Sequence, residues 1–157
     1  MRAYKVHKEK HILQQIKAGD KILHIGCTNS PRTAERLKSG TLLHKNLCDK
    51  AEIIGADITG IDIDDEAINF LKSMMPNKEI LNIDAHKCAE YFGENRTFDL
   101  IIDGDVIEHL PNPGVFLQSC KSVLSPHGNV FLTSVNAYSA VRFLKAIFSA
   151  LEPSYGY

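Results

Sequence analysis

Residues 98–136, FDLIIDGDVIEHLPNPGVFLQSCKSVLSPHGNVFLTSVN, contain the pattern that decides the fold. An apolar run, Phe98–Ile102, precedes an acidic segment, and the stretch Gly114–Leu124 then repeats apolar residues at helical spacing. Residues 125–128, SPHG, predict a stop and a turn before a second apolar run, Asn129–Val135. The order strand, helix, strand is typical of a parallel βαβ unit.

The same alternation extends through the rest of the chain. Three further short apolar runs predict strands: Lys21–Cys27, Ile58–Ile63 and Glu79–Ile83. Three further amphipathic stretches predict helices: Tyr4–Ala18, within an N-terminal helical segment 1–20, Asp65–Met75 and Tyr138–Leu151. We therefore predict one α/β domain over residues 1–157, with a doubly wound, Rossmann-like, mostly parallel sheet and helices on both faces.

Composition excludes several classes of protein. The chain has 157 residues, of which 44% are hydrophobic and 24% are charged, as in an ordinary globular domain. The net charge of −1 gives no reason to expect nucleic acid as a partner. No apolar run is long enough for a membrane helix and the N-terminus lacks a signal-peptide core, so we expect a cytoplasmic protein without membrane contact. Its four cysteines have no metal or redox spacing, which predicts reduced, mostly buried thiols and no metal site.

Polar residues follow the predicted strands, where ligands bind in sheets of this kind. Gly26 permits a tight turn after the first strand, although the loop matches neither GxGxxG nor a P-loop. Asp62 ends the second strand, in the position where a carboxylate can hold ribose hydroxyls. For Asp64 and Asp65, capping of the following helix is the preferred interpretation. Asp84 follows the third strand.

The segments ILHIGC, ITGIDID, NIDA and the long block 98–136 resemble the class I S-adenosylmethionine-dependent methyltransferases, in particular the broad group with a Glu-His-Leu segment after strand four. The resemblance covers about Lys21 to Asn136. It implies S-adenosylmethionine as the cofactor. By this similarity, Asp62 would bind the ribose hydroxyls, Ile63 would lie against the adenine, and Asp84 with the backbone of Ala85 would bind the adenine amino group.

The resemblance also implies roles at the other end of the cofactor. Gly26 and Cys27 would line the methionine moiety, and Asp103 and Gly104 would approach its amino-acid end. His24 stands where the family usually has an acidic residue that orients the cofactor's ammonium group.

The chain departs from the family pattern in spacing and length as well. Gly26 and Asp62 are 36 residues apart, against about 20 in the nucleotide-binding unit, so residues 42–57 are expected to form an extra helix or a lid. The family usually continues with an antiparallel strand pair after the last helix seen here. A sheet that stops after strand five is therefore expected, as a minimal variant or a fragment.

The reaction implied by the resemblance is in-line displacement of an activated methyl group by an acceptor atom. Asp105, Glu108 and His109 would face the acceptor, which could be a small molecule, a glycan or a protein. A general base is needed only if the acceptor loses a proton at attack. His109 is the first candidate and Asp105 the second, and a purely structural role for His109 stays open.

Two other functions are each supported by some of the residues. The first is a non-catalytic module that binds a nucleoside or S-adenosylmethionine, favoured by His24 and the short C-terminus. The second is a sugar-nucleotide enzyme with a metal at Asp103-Gly104-Asp105 or Asp62-Ile63-Asp64, although the remaining motifs do not fit it. A nicotinamide dehydrogenase is disfavoured because the second and third glycines of its motif are missing.

The last strand raises a question about partners. In a 3-2-1-4-5 strand order, Asn129–Val135 lies at the edge of the sheet and carries no charge. Bare apolar edges template pairing with other chains. We therefore expect this edge to be covered by helix Tyr138–Leu151, by a second copy in a homo-oligomer, or by a further segment.

Overall fold

A computed structural model describes residues 8–93 and 96–134. Five strands form one parallel sheet in the order β3-β2-β1-β4-β5. The strands are β1 (Lys21–Ile25), β2 (Asp57–Asp62), β3 (Glu79–Asn82), β4 (Phe98–Gly104) and β5 (Leu124–Thr133). The predicted doubly wound α/β fold is confirmed, because crossovers on both sides of β1 produce this order.

Helices connect the strands and cover both faces of the sheet. They are α1 (Lys8–Gln15), α2 (Thr33–Lys38), α3 (Leu43–Ile54), α4 (Asp65–Met74), α5 (Cys88–Phe92) and α6 (Pro113–Ser122), with two short 3-10 helices at Ala85–Lys87 and Ile107–His109. The helix α3 occupies the stretch for which an extra helix or a lid is expected from the spacing.

Side-chain caps fix where the helices that flank the ligand-binding edge begin. The Asp64 carboxylate accepts a hydrogen bond from the Ala67 amide at 2.9 Å, which confirms its predicted capping of α4. The Asn112 side chain accepts from the Val115 amide at 3.1 Å and caps α6, with Pro113 in the first turn.

The prediction for the end of α6 is wrong in detail. The helix ends at Ser122, and Leu124 already pairs with Phe98 as the first residue of β5. The predicted turn at 125–128 is an irregularity inside β5, because the next pair joins Leu100 to Asn129. A Cβ on Gly128 would lie 2.8 Å from a methyl carbon of Leu124, so the chain can fold closely over Leu124 only with glycine there.

The core lies on both faces of β1, because alternate side chains of a strand point to opposite sides. Leu23 and Ile25 pack with the buried residues of α5 and α6, and Ile22 packs with those of α1 and α3. His24 shares the face of Ile22 and is also buried. This placement puts an imidazole between the sheet and α3.

The edge of the sheet at β5 keeps part of its apolar surface accessible, since the Leu132 side chain is 41% exposed. The predicted covering helix, 138–151, and the end of the predicted strand at Val135 lie outside the described residues. Cover by a second copy stays a prediction. Within the residues described, no helix combines the length and the apolar character required to cross a bilayer.

Candidate active site

A cleft of about 530 Å³ opens at the carboxyl ends of the central strands. We call it the carboxyl-end cleft. Its lining includes the predicted site residues Gly26, Asp62, Ile63, Asp84, Ala85 and Gly104 together with Asp105 and His109. The fold thus brings together residues from four loops that are far apart in the sequence, at the edge where doubly wound sheets bind ligands.

Asp62, at the end of β2, links two loops of the cleft. One carboxylate oxygen, Oδ2, accepts from the Thr28 amide at 3.0 Å and from its hydroxyl at 2.7 Å. The other, Oδ1, accepts from the amides of Ile63 and Asp64 at 2.8 and 3.3 Å. A ribose hydroxyl could therefore bind Asp62 only if one of these donors, most readily the Thr28 hydroxyl, turned away.

The neighbouring residues provide an apolar surface and a second carboxylate. The Ile63 side chain is 71% exposed within the cleft, which is unusual for so large an apolar group. Asp84 accepts from the His86 amide at 2.9 Å and lies 3.0 Å from His86 Nδ1. These bonds, the backbone one first, lower the pKa of Asp84 and keep it ionised at the mouth of the cleft. Ala85 is buried beside it.

Gly26 makes the turn from β1 into the site. Its φ of +76° is in the left-handed region, and a Cβ there would lie 2.3 Å from a methyl carbon of Val106. The amides of Gly26 and Cys27 both donate to the Ile61 carbonyl, at 3.0 and 3.1 Å. The loop is thereby held against β2 with its backbone close to the end of β4.

The Asp103 side chain points into the protein and holds the loop that follows β4. It is fully buried and lines neither this cleft nor the smaller cavity beside it. Its carboxylate accepts from the amides of Val106 and Ile107 at 2.8 and 3.1 Å. Burial raises its pKa, although the two amide bonds act in the opposite direction. Asp103 therefore positions the loop after β4. Its predicted approach to the amino-acid end of the cofactor stays a prediction.

The two candidate catalytic residues both line the cleft, in different environments. Asp105 has a φ of +64° and forms an exposed ion pair with Lys8 of α1. His109 ends the 3-10 helix after β4, and its imidazole is exposed at the cleft. Glu108 is half-buried and lines neither cavity. Of the three residues expected to face an acceptor, His109 is the one whose side chain is both accessible and without an ion pair in the described residues.

A smaller cavity of about 260 Å³ adjoins the cleft, and we call it the inner cavity. The two share the lining residues Gly26, Asn29, Gly104 and Asp105. Cys27 and His24 line the inner cavity alone, as do charged side chains of α1 and α2. The residues predicted for the two ends of the cofactor thus line two adjoining cavities that share four residues.

His24 and His44 stack in the wall of the inner cavity, and we call them the His pair. Their ring centroids are 5.2 Å apart, and the two Nδ1 atoms face each other at 3.1 Å. Both are buried, and burial lowers the pKa of each, that of His44 to about 4. Gly60 of β2 makes room for the pair, because a Cβ there would lie 2.5 Å from His44 Cε1.

The four cysteines are free and buried, as predicted. Burial raises the pKa of Cys48 and Cys88 to about 11 and that of Cys120 to about 12. The thiols are therefore protonated at neutral pH. In the described ranges, no three histidine, cysteine or acidic side chains are grouped so that they could hold a metal ion.

Sequence reasoning missed three of the residues that shape the site. Thr28 bonds Asp62, His44 pairs with His24, and Lys8 reaches Asp105 from the N-terminal helix. Each contact joins elements that are distant in the sequence. The one local signal was Gly60, since a glycine inside a strand indicates a close approach by another group.

Comparison with known proteins identifies the family. A family model described as a methyltransferase domain matches residues 3–152, and the chain belongs to this family. It is 31% identical over 137 residues to the mitochondrial ubiquinone biosynthesis O-methyltransferase of Rattus norvegicus, covering 84% of this chain and 35% of the relative. The family-level prediction of a class I methyltransferase is thus confirmed.

Solved structures show the same fold. A TehB-like SAM-dependent methyltransferase from Corynebacterium glutamicum superposes with a TM-score of 0.56 and 21% identity, over 90% of this chain and 70% of that chain. The plantazolicin methyltransferase BpumL, solved in complex with a triazolic desmethylPZN analogue and SAH, gives a TM-score of 0.62 and 17% identity, over 93% of this chain and 49% of that chain. The chain spans about half the length of the curated bacterial relatives it matches.

Proposed function

We propose that this chain binds S-adenosylmethionine across the carboxyl-end cleft and the inner cavity and directs its methyl group to an acceptor. We base the proposal on the two adjoining cavities at the carboxyl ends of the strands, which share Gly26, Asn29, Gly104 and Asp105. One presents an exposed apolar side chain between two carboxylates, and the other is lined by buried and charged polar groups. A ligand with a nucleoside at one end and an amino acid at the other matches both.

The residues of the cleft would hold the nucleoside. Asp62 would bind the ribose hydroxyls once the Thr28 hydroxyl turns away, and Ile63 would pack against the adenine face. The ionised Asp84 would accept from the adenine amino group. Gly26 would let the backbone approach the ligand, and a larger residue at this position would collide with Val106.

When bound, S-adenosylmethionine supplies a methyl group already activated by its positive sulfur. The chain's own contribution is then to orient the acceptor and to receive its proton. We assign the role of proton acceptor to His109 because its imidazole is exposed at the cleft, whereas Asp105 is paired with Lys8. Relatives named O-methyltransferases favour a hydroxyl group on a small molecule as the acceptor, over a glycan or a protein.

Calorimetric titration with S-adenosylhomocysteine tests the cofactor site. Hydrogen bonds to a charged group contribute about 1.5–3 kcal/mol each, so Asp62→Ala should weaken binding at least about tenfold. Asp57→Ala is the matched control, since Asp57 begins the same strand at its opposite end and should leave binding unchanged. Equal affinity for the wild type and Asp62→Ala would overturn the assignment.

Two further measurements refine this result. Thr28→Val removes the hydroxyl that competes for Asp62 and should not weaken binding, whereas a purely structural role for the Thr28–Asp62 contact predicts a loss. Transfer of a labelled methyl group to a panel of hydroxylated small molecules tests the reaction. Tight binding with no transfer to small molecules, glycans or proteins would favour the non-catalytic module instead.

A further inference from the structure

His24 Nε2 is a buried ring nitrogen without a hydrogen-bond partner in the described residues. The ring lines the inner cavity, and a Cβ on Gly104 would lie 3.2 Å from this nitrogen. Gly104 belongs to both cavities. The nitrogen therefore faces the place where the inner cavity meets the cleft, and a ligand there could supply the missing partner.

Two residues, His44 and Cys48, determine whether His24 Nε2 carries a proton. The Nδ1 atoms of the His pair are 3.1 Å apart, so one of them must carry a proton and the other must accept it. His44 Nε2 lies 3.7 Å from the sulfur of Cys48, a residue that does not line the inner cavity. If the thiol donates to His44 Nε2, then His44 Nδ1 donates to His24 Nδ1, and His24 presents an N–H to the cavity.

This arrangement is favoured by the chemistry of the thiol. A thiol sulfur is a weak acceptor, whereas an imidazole nitrogen accepts well, so Cys48 satisfies His44 better as a donor. The raised pKa of Cys48, about 11, keeps that proton on sulfur. The chain Cys48–His44–His24 then ends in an N–H donor.

One cation of the inner cavity, Arg36, is available for an anionic group beside His24, because Lys8 is already paired with Asp105. Lys8 is near enough to lower the pKa of His24, after burial and His44. Arg36 lines the cavity and has no carboxylate partner in the part of the chain that the structure describes. The two acidic side chains there are engaged, Asp105 by Lys8 and Glu9 by the Asn46 amide at 2.6 Å.

We propose that His24 is the specificity-determining residue of the inner cavity, where its Nε2–H binds the carboxylate at the amino-acid end of the ligand. The cavity would then recognise that carboxylate more strongly than the ammonium group. This inference rests on the proposed function, because it takes the nucleoside end of the same ligand to lie in the carboxyl-end cleft.

Calorimetric titrations with three ligands separate the contribution of the ligand's carboxylate from that of its ammonium group. They are S-adenosylhomocysteine, its analogue without the ammonium group, and its analogue without the carboxylate. The analogue without the ammonium group should have an affinity within about threefold of that of S-adenosylhomocysteine. The analogue without the carboxylate should bind at least about tenfold more weakly, as expected when a charge-assisted hydrogen bond is lost. The reverse order would overturn the inference.

Two variants test His24 and the residues behind it. His24→Asp should reverse the order of the two analogues, because a carboxylate accepts from ammonium and repels carboxylate. Cys48→Ala removes the thiol donor outside the cavity and should reduce the preference for the carboxylate while leaving the nucleoside contacts intact. An unchanged preference in Cys48→Ala would exclude the proposed control of the tautomer by Cys48.

Nitrogen-15 spectra of the wild-type imidazoles give a readout that does not depend on the variants folding. Binding of S-adenosylhomocysteine should leave His24 in the Nε2–H form, and a bare Nε2 in the complex would contradict the inference. If neither S-adenosylhomocysteine nor methylthioadenosine binds at all, the proposed function itself fails. If both bind but the analogue order is reversed, only the inference about His24 fails.

Discussion

Lowering the pH from 7 to 5 should destabilise this protein through the His pair. In the folded chain, burial and then Lys78 lower the pKa of His44 from 6.5 to about 4. Burial, His44 and Lys8 lower that of His24 as well. Below pH 6.5, these two histidines therefore bind protons in the unfolded chain more readily than in the folded chain. The stability is complete above pH 6.5 and is lost as the pH falls toward 4.

The size of the loss follows from the shift. For His44 alone, the free energy of unfolding should fall by about 2 kcal/mol between pH 7 and pH 5, and by about 3 kcal/mol by pH 4. This is a large part of the roughly 5–15 kcal/mol that stabilises a domain. His24 acts in the same direction. Asp103 acts in the opposite direction, because its raised pKa makes the folded chain bind a proton more readily as the pH falls.

Urea unfolding at pH 7, 6 and 5, followed by circular dichroism, measures the effect. His44→Gln is the control, since glutamine is polar but does not titrate. The variant should lose about 2 kcal/mol less than the wild type over this range. Parallel pH dependence in the two proteins would mean that the folded chain does not lower the pKa of His44, contrary to the prediction.

Three further outcomes are expected. Gly60→Ala places a Cβ 2.5 Å from His44 Cε1 and should lower the free energy of unfolding in urea by about 1–3 kcal/mol. The loss should be clearly smaller in a His44→Ala background, and an equal loss in both would contradict the packing. Asp103→Asn should lower the free energy of unfolding by about 1–3 kcal/mol, because the two loop N–H groups each use a different carboxylate oxygen and asparagine has only one oxygen. Unchanged stability would argue against the loop contacts. His109→Gln should lower methyl transfer about 10²–10⁴-fold and leave S-adenosylhomocysteine affinity intact if the imidazole takes the acceptor's proton, whereas unchanged turnover would return it to a structural role.

The sequence predicted the strands well because their apolar runs are local signals. Each of the five predicted strands exists, with ends shifted by a few residues. The strand β4 continues past its predicted end because Asp103 and Gly104 pair with Leu132 and Thr133. The start of β5 could not be predicted from its turn residues. Pairing of Leu124 with Phe98 outweighs the local preference of 125–128 for a turn outside the strand.

The site was predicted in part for the same reason. Strand ends indicate which residues reach the ligand-binding edge, and Asp62, Ile63 and Asp84 do line the cleft. What a side chain does there depends on distant partners. Asp103 is turned inward by two amides of its own loop, and His24 is fixed by a residue of α3 that no local pattern connects to it.

A crystal structure with S-adenosylhomocysteine would show where the ligand binds, because another cavity of about 530 Å³ lies at the amino ends of the strands. That cavity is lined by Thr59, Glu79 and Arg96, which bond one another. We expect the nucleoside over Ile63 at the carboxyl ends, with the amino-acid end of the ligand in the inner cavity beside His24. Density for the ligand in the cavity beside Arg96, with the carboxyl-end cleft empty, would contradict this expectation.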